Sequence, residues 1–143
     1  MVKSILDVLV SRGIIELSEV GKVKKEAKDK GITLDEAIYA RGIKETDVAE
    51  AKSELFGFPV KSVGTGGIQV PHDILREIPE ESAKHYKFIP LGKKEGYLEI
   101  GMIQPDDVAA QEALKFIAAK MNLHLRLYII TPSDFQNVMV EYR

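Results

Sequence analysis

The first part of the chain repeats apolar residues at helical spacing, and glycines interrupt the pattern at intervals. Leu9 and Val10 lie three and four positions after Leu6, as on one face of an α-helix. A hydroxyl residue before such a run and a glycine after it are typical of a helix start and a helix end. These signals predict four helices, which begin at Ser4, Ser18, Thr33 and about Thr46 and end before the glycines at 13, 31, 42 and 57.

The four predicted helices form a helix pair that is repeated. A shift of 29 residues places Arg12 on Arg41, and a shift of 28 residues places Val20 on Val48. Two copies of a helix–turn–helix unit are too few for a stable solenoid. We therefore expect residues 1–59 to form a small helical bundle that packs against something else.

Residues 68–143 carry a mixture of strand and helix signals. Leucines alternate with polar residues over 123–129, which predicts a half-buried strand, and the charged turn at 92–96 predicts a hairpin of two earlier strands. Thr131, followed by a proline and by Asp134, is a strong helix start. The predicted order is α-β-β-α-β-α, a three-stranded sheet covered by helices. The whole chain is therefore predicted to be α+β, with a four-helix subdomain followed by an α/β subdomain.

The stretch FGFPVKSVGTGGIQVP, residues 56–71, joins the two parts. A phosphate loop needs its lysine and serine directly after the second glycine, at the start of a helix. Here Lys61 and Ser62 precede the glycine cluster, and residues 68–71 are typical of an extended chain. We therefore interpret 60–67 as a linker, a pliable joint between two subdomains with a small mutual interface.

The composition is that of a globular protein, with 45% hydrophobic and 29% charged residues and a net charge of −2. No basic patch is evident, so nucleic-acid binding has no obvious source. The chain has no cysteine, which excludes disulfide and thiol chemistry and fits the cytoplasm. No apolar run approaches the roughly 18 residues of a membrane span, and the charged start does not resemble a signal peptide. We expect a cytoplasmic protein that does not insert into the membrane.

Residues that often carry enzyme chemistry are present without the spacing that such chemistry needs. His72, His85 and His124 match no metal-binding motif. Asp106 and Asp107 stand where a helix is predicted to begin, so capping is favoured over acid–base catalysis. The chain also lacks a G-x-S-x-G serine. We therefore predict no catalytic residues, no metal and no cofactor.

A series of short stretches resembles the N-terminal domain of the type II secretion and type IV pilus assembly ATPases, the MshEN-type domain. The stretches are 9–15 and its echo, 56–60, 78–81, 88–92, 102–107, 131–134 and 141–143. The resemblance implies a non-catalytic domain ahead of a hexameric ATPase motor in the same chain. It also implies a partner, a cytoplasmic domain of an inner-membrane secretion or pilus platform protein, and through it a peripheral location at that membrane.

Some members of that family bind cyclic di-GMP through two copies of a motif in the helical half. Each copy begins Arg-Leu-Gly, continues through an apolar pair and a glycine, and ends in glutamine. In this chain the arginine positions are Ser4 and Thr33, the first glycines are Leu6 and Asp35, and the first glutamine is Ala27. Serine and threonine cannot stack on a base as the planar guanidinium does. The positions left from this degenerate motif are Lys3, Ser4, Leu9, Val10, Arg12, Gly13, Ile14, Ile15, Arg41 and Gly42.

A basic run on the second predicted helix is the candidate docking surface. The candidate partner-binding residues are Lys22, Lys24, Lys25 and Lys28, with Ile14 and Ile15. Acids interleave with these lysines, so two interpretations stay open: a solvated helix face, or a face for an acidic partner. The leading hypothesis is a non-catalytic interaction domain that links the ATPase to its platform. The alternative is a sensor of cyclic di-GMP or another nucleotide with a degenerate binding motif.

Overall fold

The computed structural model describes residues 3–64 and 66–142, which fall into two compact units, Met1–Gly57 and Phe58–Arg143. The first unit is helical in the part described. Its elements are α1 (Ile5–Ser11), a 3₁₀ turn (Leu17–Glu19), α2 (Val20–Lys30), α3 (Leu34–Tyr39) and α4 (Glu45–Phe56).

Side-chain caps start the first helix of each repeat copy, as predicted. The Ser4 hydroxyl accepts a hydrogen bond from the Asp7 N–H at 3.2 Å, and the Asp7 carboxylate accepts one from the Ser4 N–H at 2.9 Å. Thr33 caps α3 in the same way, through the Glu36 N–H at 3.0 Å. These bonds satisfy donors that a helix start leaves without an intrahelical partner.

The predicted start of the second helix at Ser18 is wrong. Residues Leu17–Glu19 form a 3₁₀ turn, and α2 begins after it at Val20. Glu19, the N-cap residue, has φ −86° and ψ −18° and makes no side-chain cap bond. Because the backbone already turns helically before α2, Ser18 does not occupy the extended N-cap position that its hydroxyl would need.

The two copies of the helix pair pack crosswise. Helix α1 of the first copy contacts α4 of the second, and α2 of the first contacts α3 of the second. The core between them contains Leu6, Leu9, Val23, Ile38 and Val48, all fully buried. Each helix thus buries one apolar stripe against the other copy, as an amphipathic helix requires.

The second unit contains a three-stranded sheet and four helices among its described residues. The elements are α5 (His72–Leu75), α6 (Glu80–Tyr86), β1 (Phe88–Lys94), β2 (Tyr97–Met102), α7 (Val108–Lys120), β3 (His124–Ile129) and α8 (Pro132–Glu141). This arrangement confirms the predicted α+β class and the predicted strand count. None of the described helices has the length and apolar character that crossing a bilayer would require.

The strand order is β1-β2-β3, with β1 antiparallel and β3 parallel to β2. The parallel connection runs through α7, as parallel neighbours require a crossover. Leu98 pairs with Leu125 and Ile100 with Leu127. Because side chains alternate across a strand, these three leucines and Ile100 share one face of the sheet.

Both faces of the sheet are covered. On one face Leu98 and Ile100 pack with Leu114 of α7 in a buried cluster. On the other, Ile89 and Tyr128 pack with Phe135 of α8. Because both faces of the sheet are buried, the strands consist largely of apolar residues.

The segment predicted as a pliable linker makes specific contacts within the second unit. The Ile129 N–H donates to the Pro59 carbonyl at 2.8 Å, and the Lys61 N–H donates to the Ile129 carbonyl at 2.9 Å. Val63 is buried, and its N–H donates to the Asp134 carboxylate at 2.8 Å. The boundary between the two units falls between Gly57 and Phe58, which is before the predicted linker at 60–67.

Candidate functional site

The two arginine positions of the ligand motif are occupied by helix caps. Ser4 and Thr33 each accept a hydrogen bond from the third backbone N–H of their own helix. A short hydroxyl side chain held in this way cannot present the planar, charged donor that an arginine would. Lys3, the cation next to Ser4, is exposed.

The glycine positions of the motif are filled by side chains with contacts of their own. Leu6 is fully buried in the helical core. Asp35 receives a hydrogen bond from the Lys52 ammonium at 2.6 Å, and the two side chains are only 13% and 5% exposed. A carboxylate at this position would repel an anionic ligand such as a phosphodiester. Ala27, at the glutamine position, brings no polar side-chain atom.

The Asp35–Lys52 pair belongs to a small polar cluster that includes Tyr39. Burial raises the pKa of the Tyr39 hydroxyl above its ordinary value, and the negative charges of Asp35 and Glu45 raise it further. The Tyr39 phenol is therefore neutral at neutral pH. A buried ion pair of this kind is costly to break, because one charge is left without its partner in a poorly solvated place.

The apolar positions of the motif build the core. Leu9 is fully buried and Ile15 is 8% exposed, while Val10 and Ile14 pack against them half-buried. Ile15 therefore offers almost no side-chain surface to a partner, and Ile14 offers only part of its side chain. Leu17, which is not among the predicted partner-binding residues, is 75% exposed in the 3₁₀ turn next to this pair. The sequence feature that could have identified Leu17 is its position as an apolar residue outside the apolar stripe of the helices.

The two repeat-related arginines make ion pairs that cross between the copies. Arg12 of the first copy contacts Glu54 of α4 at 3.1 Å, and Arg41 of the second copy contacts Glu26 of α2 at 3.8 Å and also pairs with Glu19. Glu26 and Glu54 are themselves 28 positions apart, the offset of the repeat. The repeat therefore conserves a crossed arginine–glutamate pair. The glycines that follow, at 13 and 42, have φ of +73° and +81° and end their helices in the left-handed region.

The predicted basic face lies on the solvent side of α2. Lys22 pairs with Glu19 on the preceding turn at 3.9 Å, and Lys25 pairs with Asp29 on the following turn at 3.2 Å. Lys24 and Lys28 are also exposed, and the described residues include no ion-pair partner for them within 4.0 Å. The surplus positive charge of this face is therefore concentrated at Lys24 and Lys28, one helical turn apart.

In the second unit, the glycine-rich stretch forms a tight turn rather than a helix start. The Gly64 N–H donates to the Ile68 carbonyl at 2.7 Å, and the Gly67 N–H donates to the Gly64 carbonyl at 2.9 Å. The Lys61 ammonium lies 4.4 Å from the centre of the Tyr128 ring, a cation–π contact. The lysine of the rejected phosphate loop therefore has a structural contact on the sheet.

A polar cluster continues from Tyr128 along the same face of the sheet. The Tyr128 hydroxyl donates to Glu99 at 2.9 Å, and Arg126 lies 3.9 Å from the same carboxylate and 4.1 Å from the centre of the Tyr97 ring. Burial raises the pKa of the Tyr128 hydroxyl, and the hydrogen bond to Glu99 adds to the effect. These contacts fix Arg126 in place while leaving its side chain 37% exposed.

The residues considered for metal or acid–base chemistry lie apart. His72 begins α5, His85 lies on α6 and His124 begins β3. Within the described ranges no group of three or more histidine, aspartate or glutamate side chains is arranged to hold a metal ion. Asp107 caps α7 by accepting a hydrogen bond from the Ala110 N–H at 3.1 Å, which confirms the capping interpretation for this residue.

An apolar groove of about 450 Å³ lies between α6 and α7. Its lining includes Tyr86, Ile117, Met121 and Phe116, and the Phe116 side chain is 63% exposed.

The chain belongs to the MshEN domain family, whose match covers residues 56–143 and so coincides closely with the second unit. The resemblance inferred from the sequence is thereby confirmed.

Individual relatives agree with this assignment. The type IV pilus assembly ATPase PilB of Myxococcus xanthus (strain DK1622) is 24% identical over 112 residues, which cover 78% of this chain and 19% of PilB. The chain thus matches only about a fifth of that protein's length.

The fold of both units also occurs in solved structures. A structure of MshE with cdg has a TM-score of 0.81 at 22% identity and covers 99% of both chains. The N-terminal domain of XpsE has a TM-score of 0.73 at 21% identity, over 95% of this chain and 91% of that one.

Proposed function

We propose that this chain is a non-catalytic regulatory and protein-interaction domain that links a secretion or type IV pilus assembly ATPase to a component of the inner-membrane platform. Its partner is a cytoplasmic domain of the platform protein, and an ATPase domain in the same chain is the motor that it regulates. The domain acts in the cytoplasm and reaches the membrane only through its partner.

The observation that carries the proposal is the reuse of the ligand motif for structure. Ser4 and Thr33 cap helices, Leu6 fills the core, and Asp35 pairs with buried Lys52. The backbone framework of the family is retained while the groups that would hold an anionic, base-bearing ligand are absent. A helical framework that is retained without its ligand-binding groups supports a role in contacts with other proteins.

The basic face of α2 supports a polar docking surface on the helical unit. Lys24 and Lys28 project from an exposed helix face with no ion-pair partner within 4.0 Å among the described residues. Exposed cations contribute little to folding but steer an acidic partner during association. Leu17, 75% exposed in the preceding turn, would supply an apolar anchor beside them.

The second candidate function is a cyclic dinucleotide sensor. One observation favours it: the fold matches a structure of MshE with cdg over 99% of both chains. Arg12 and Arg41 are also partly exposed, at 36% and 28%, so a ligand that displaces their glutamate partners would find two guanidinium groups.

Calorimetric titration of the chain with cyclic di-GMP separates the two functions. We expect no saturable heat, because the caps and the Asp35 carboxylate replace the ligand groups. The N-terminal domain of MshE, titrated in the same buffer, is the positive control. Saturable binding in the micromolar range, weakened by Arg12→Ala together with Arg41→Ala, would establish the sensor and overturn the proposal.

A further inference from the structure

The outer edge of β3 is only partly occupied. The His124 N–H donates to the Gly96 carbonyl at 2.9 Å and the Ile130 N–H to the Met102 carbonyl at 3.1 Å, so even-numbered residues bond toward β2. The backbone of Ile129 bonds instead to Pro59 and Lys61 on the opposite side. Because the direction alternates along a strand, Leu125 and Leu127 present their N–H and C=O groups to the outer edge.

These outward groups are available for pairing. Among the described residues, no hydrogen bond is found for the outward N–H and C=O groups of Leu125 or Leu127. Among the described residues of the second unit, Pro59–Lys61 runs parallel to β3 and pairs with this edge at Ile129. A row of unpaired backbone groups on a sheet edge is a template for an added strand.

The side chains along this edge define the chemistry of an added strand. Leu125 and Leu127 are half-buried and pack with the cluster beneath α7, so they leave apolar surface beside the edge. On the opposite face lie exposed His124 and half-buried Arg126, whose side chain stays 37% exposed beside its contacts with Glu99 and Tyr97. A strand with apolar side chains on one face and carboxylates on the other complements both.

A second copy of this chain fits the edge poorly. The antiparallel register in which two copies satisfy both Leu125 and Leu127 places Arg126 directly opposite Arg126 of the second copy. Like charges in directly opposed positions destabilise a strand pair. Charge complementarity therefore favours an acidic segment of another polypeptide.

We propose that the β3 edge at Leu125–Leu127 is a docking site for an extended segment of a partner protein with alternating acidic and apolar side chains. The segment pairs with the outward backbone groups, its acid opposite Arg126 and its apolar residues over the two leucines. This surface belongs to the second unit and is independent of the basic face of α2.

The probe is a fluorescein-labelled eight-residue peptide of alternating glutamate and valine, titrated against the chain. We expect saturable binding, together with slowed hydrogen exchange at the amides of Leu125 and Leu127 and unchanged exchange in α1. An analogue N-methylated at alternate residues keeps every charge but cannot complete the backbone ladder. It should bind at least about tenfold more weakly, because the backbone bonds supply the affinity in this mode.

Two further measurements test the charge and the occupant. Arg126→Gln should weaken binding of the glutamate–valine peptide by about fivefold, because it removes one cross-strand charge pair. A lysine–valine peptide should bind the unsubstituted chain more weakly than the glutamate–valine peptide binds either form of the chain. Equal binding of the N-methylated analogue, or unchanged exchange at Leu125 and Leu127, would overturn the proposal. A dimer in sedimentation that the peptide does not dissociate would also overturn it, in favour of a second copy.

Discussion

Lys24 and Lys52 occupy equivalent positions of the helix-pair repeat but lie in opposite environments. Lys24 is exposed on α2, whereas Lys52 on α4 is buried and bonded to Asp35 at 2.6 Å. The position equivalent to Asp35 in the first copy is Leu6, which is apolar and fully buried. The repeat is therefore conserved in its framework and has diverged at single side chains.

Replacing Lys52 tests whether this buried pair stabilises the helical unit. Lys52→Met keeps an unbranched side chain but removes the ammonium partner of a carboxylate that is only 13% exposed. We expect a loss of about 3 kcal/mol in the free energy of unfolding, as for other buried pairs broken on one side. Urea unfolding followed by circular dichroism measures it.

Lys24→Met is the matched control, because it makes the same chemical change at the equivalent exposed position. It should change stability by no more than about 0.5 kcal/mol. Equal effects of the two substitutions would mean that the buried pair has no special role in stability.

At the scale of elements, two helix starts bear on function, because their capping residues occupy the arginine positions of the ligand motif. Ser4 and Thr33 are helix caps, since each hydroxyl accepts a hydrogen bond from a backbone N–H of its own helix. Ser4→Ala and Thr33→Ala should each lower the free energy of unfolding by about 1 kcal/mol. The same chemical denaturation measures both.

Ser18→Ala provides the control for the caps. Ser18 lies exposed within the 3₁₀ turn, and α2 begins without a side-chain cap, so its loss should change stability by no more than about 0.5 kcal/mol. If Ser18→Ala lowered the free energy of unfolding as much as Ser4→Ala does, the loss of a hydroxyl group, and not of a helix cap, would account for both changes in stability.

The sequence predicted these elements well where local signals decide the structure. The apolar spacing and the glycines located the four helices, and Thr131 and Asp107 marked true helix starts. The predicted helix start at Ser18 is wrong, because a hydroxyl residue before an apolar run does not reveal that a 3₁₀ turn precedes the helix. The crossed pairs of Arg12 and Arg41 were not predicted, because they join residues that only the packing of two copies brings together.

At the scale of the whole molecule, the chain consists of two units with separate cores. Among the described residues, the helical core consists of side chains of the first unit, and the two clusters on either face of the sheet consist of side chains of the second. The predicted linker could not be placed from composition, because glycine content signals flexibility but not the buried contact of Val63.

Separate cores lead us to expect that the second unit folds alone. A fragment that begins at Phe58 and ends at Arg143 retains both sheet clusters and the bonds of Pro59 and Lys61 to Ile129. It should unfold in a single cooperative thermal transition, as an independent domain does. A fragment that begins at Ile68 loses the Val63 contact and should melt at a lower temperature. A non-cooperative transition for the longer fragment would contradict the division into units.

The association rate with the platform protein tests the central claim most directly. The cytoplasmic domain of the platform protein from the same organism is mixed with the chain, and the on-rate is followed by stopped-flow fluorescence at several salt concentrations. We predict binding whose on-rate falls as salt rises and falls about tenfold when Lys24→Glu and Lys28→Glu are combined, with little change in melting temperature. Lys84→Glu with Lys115→Glu, which makes the same change in charge on the second unit, should leave the on-rate within about twofold. No binding at all, or equal slowing by both double variants, would contradict the account.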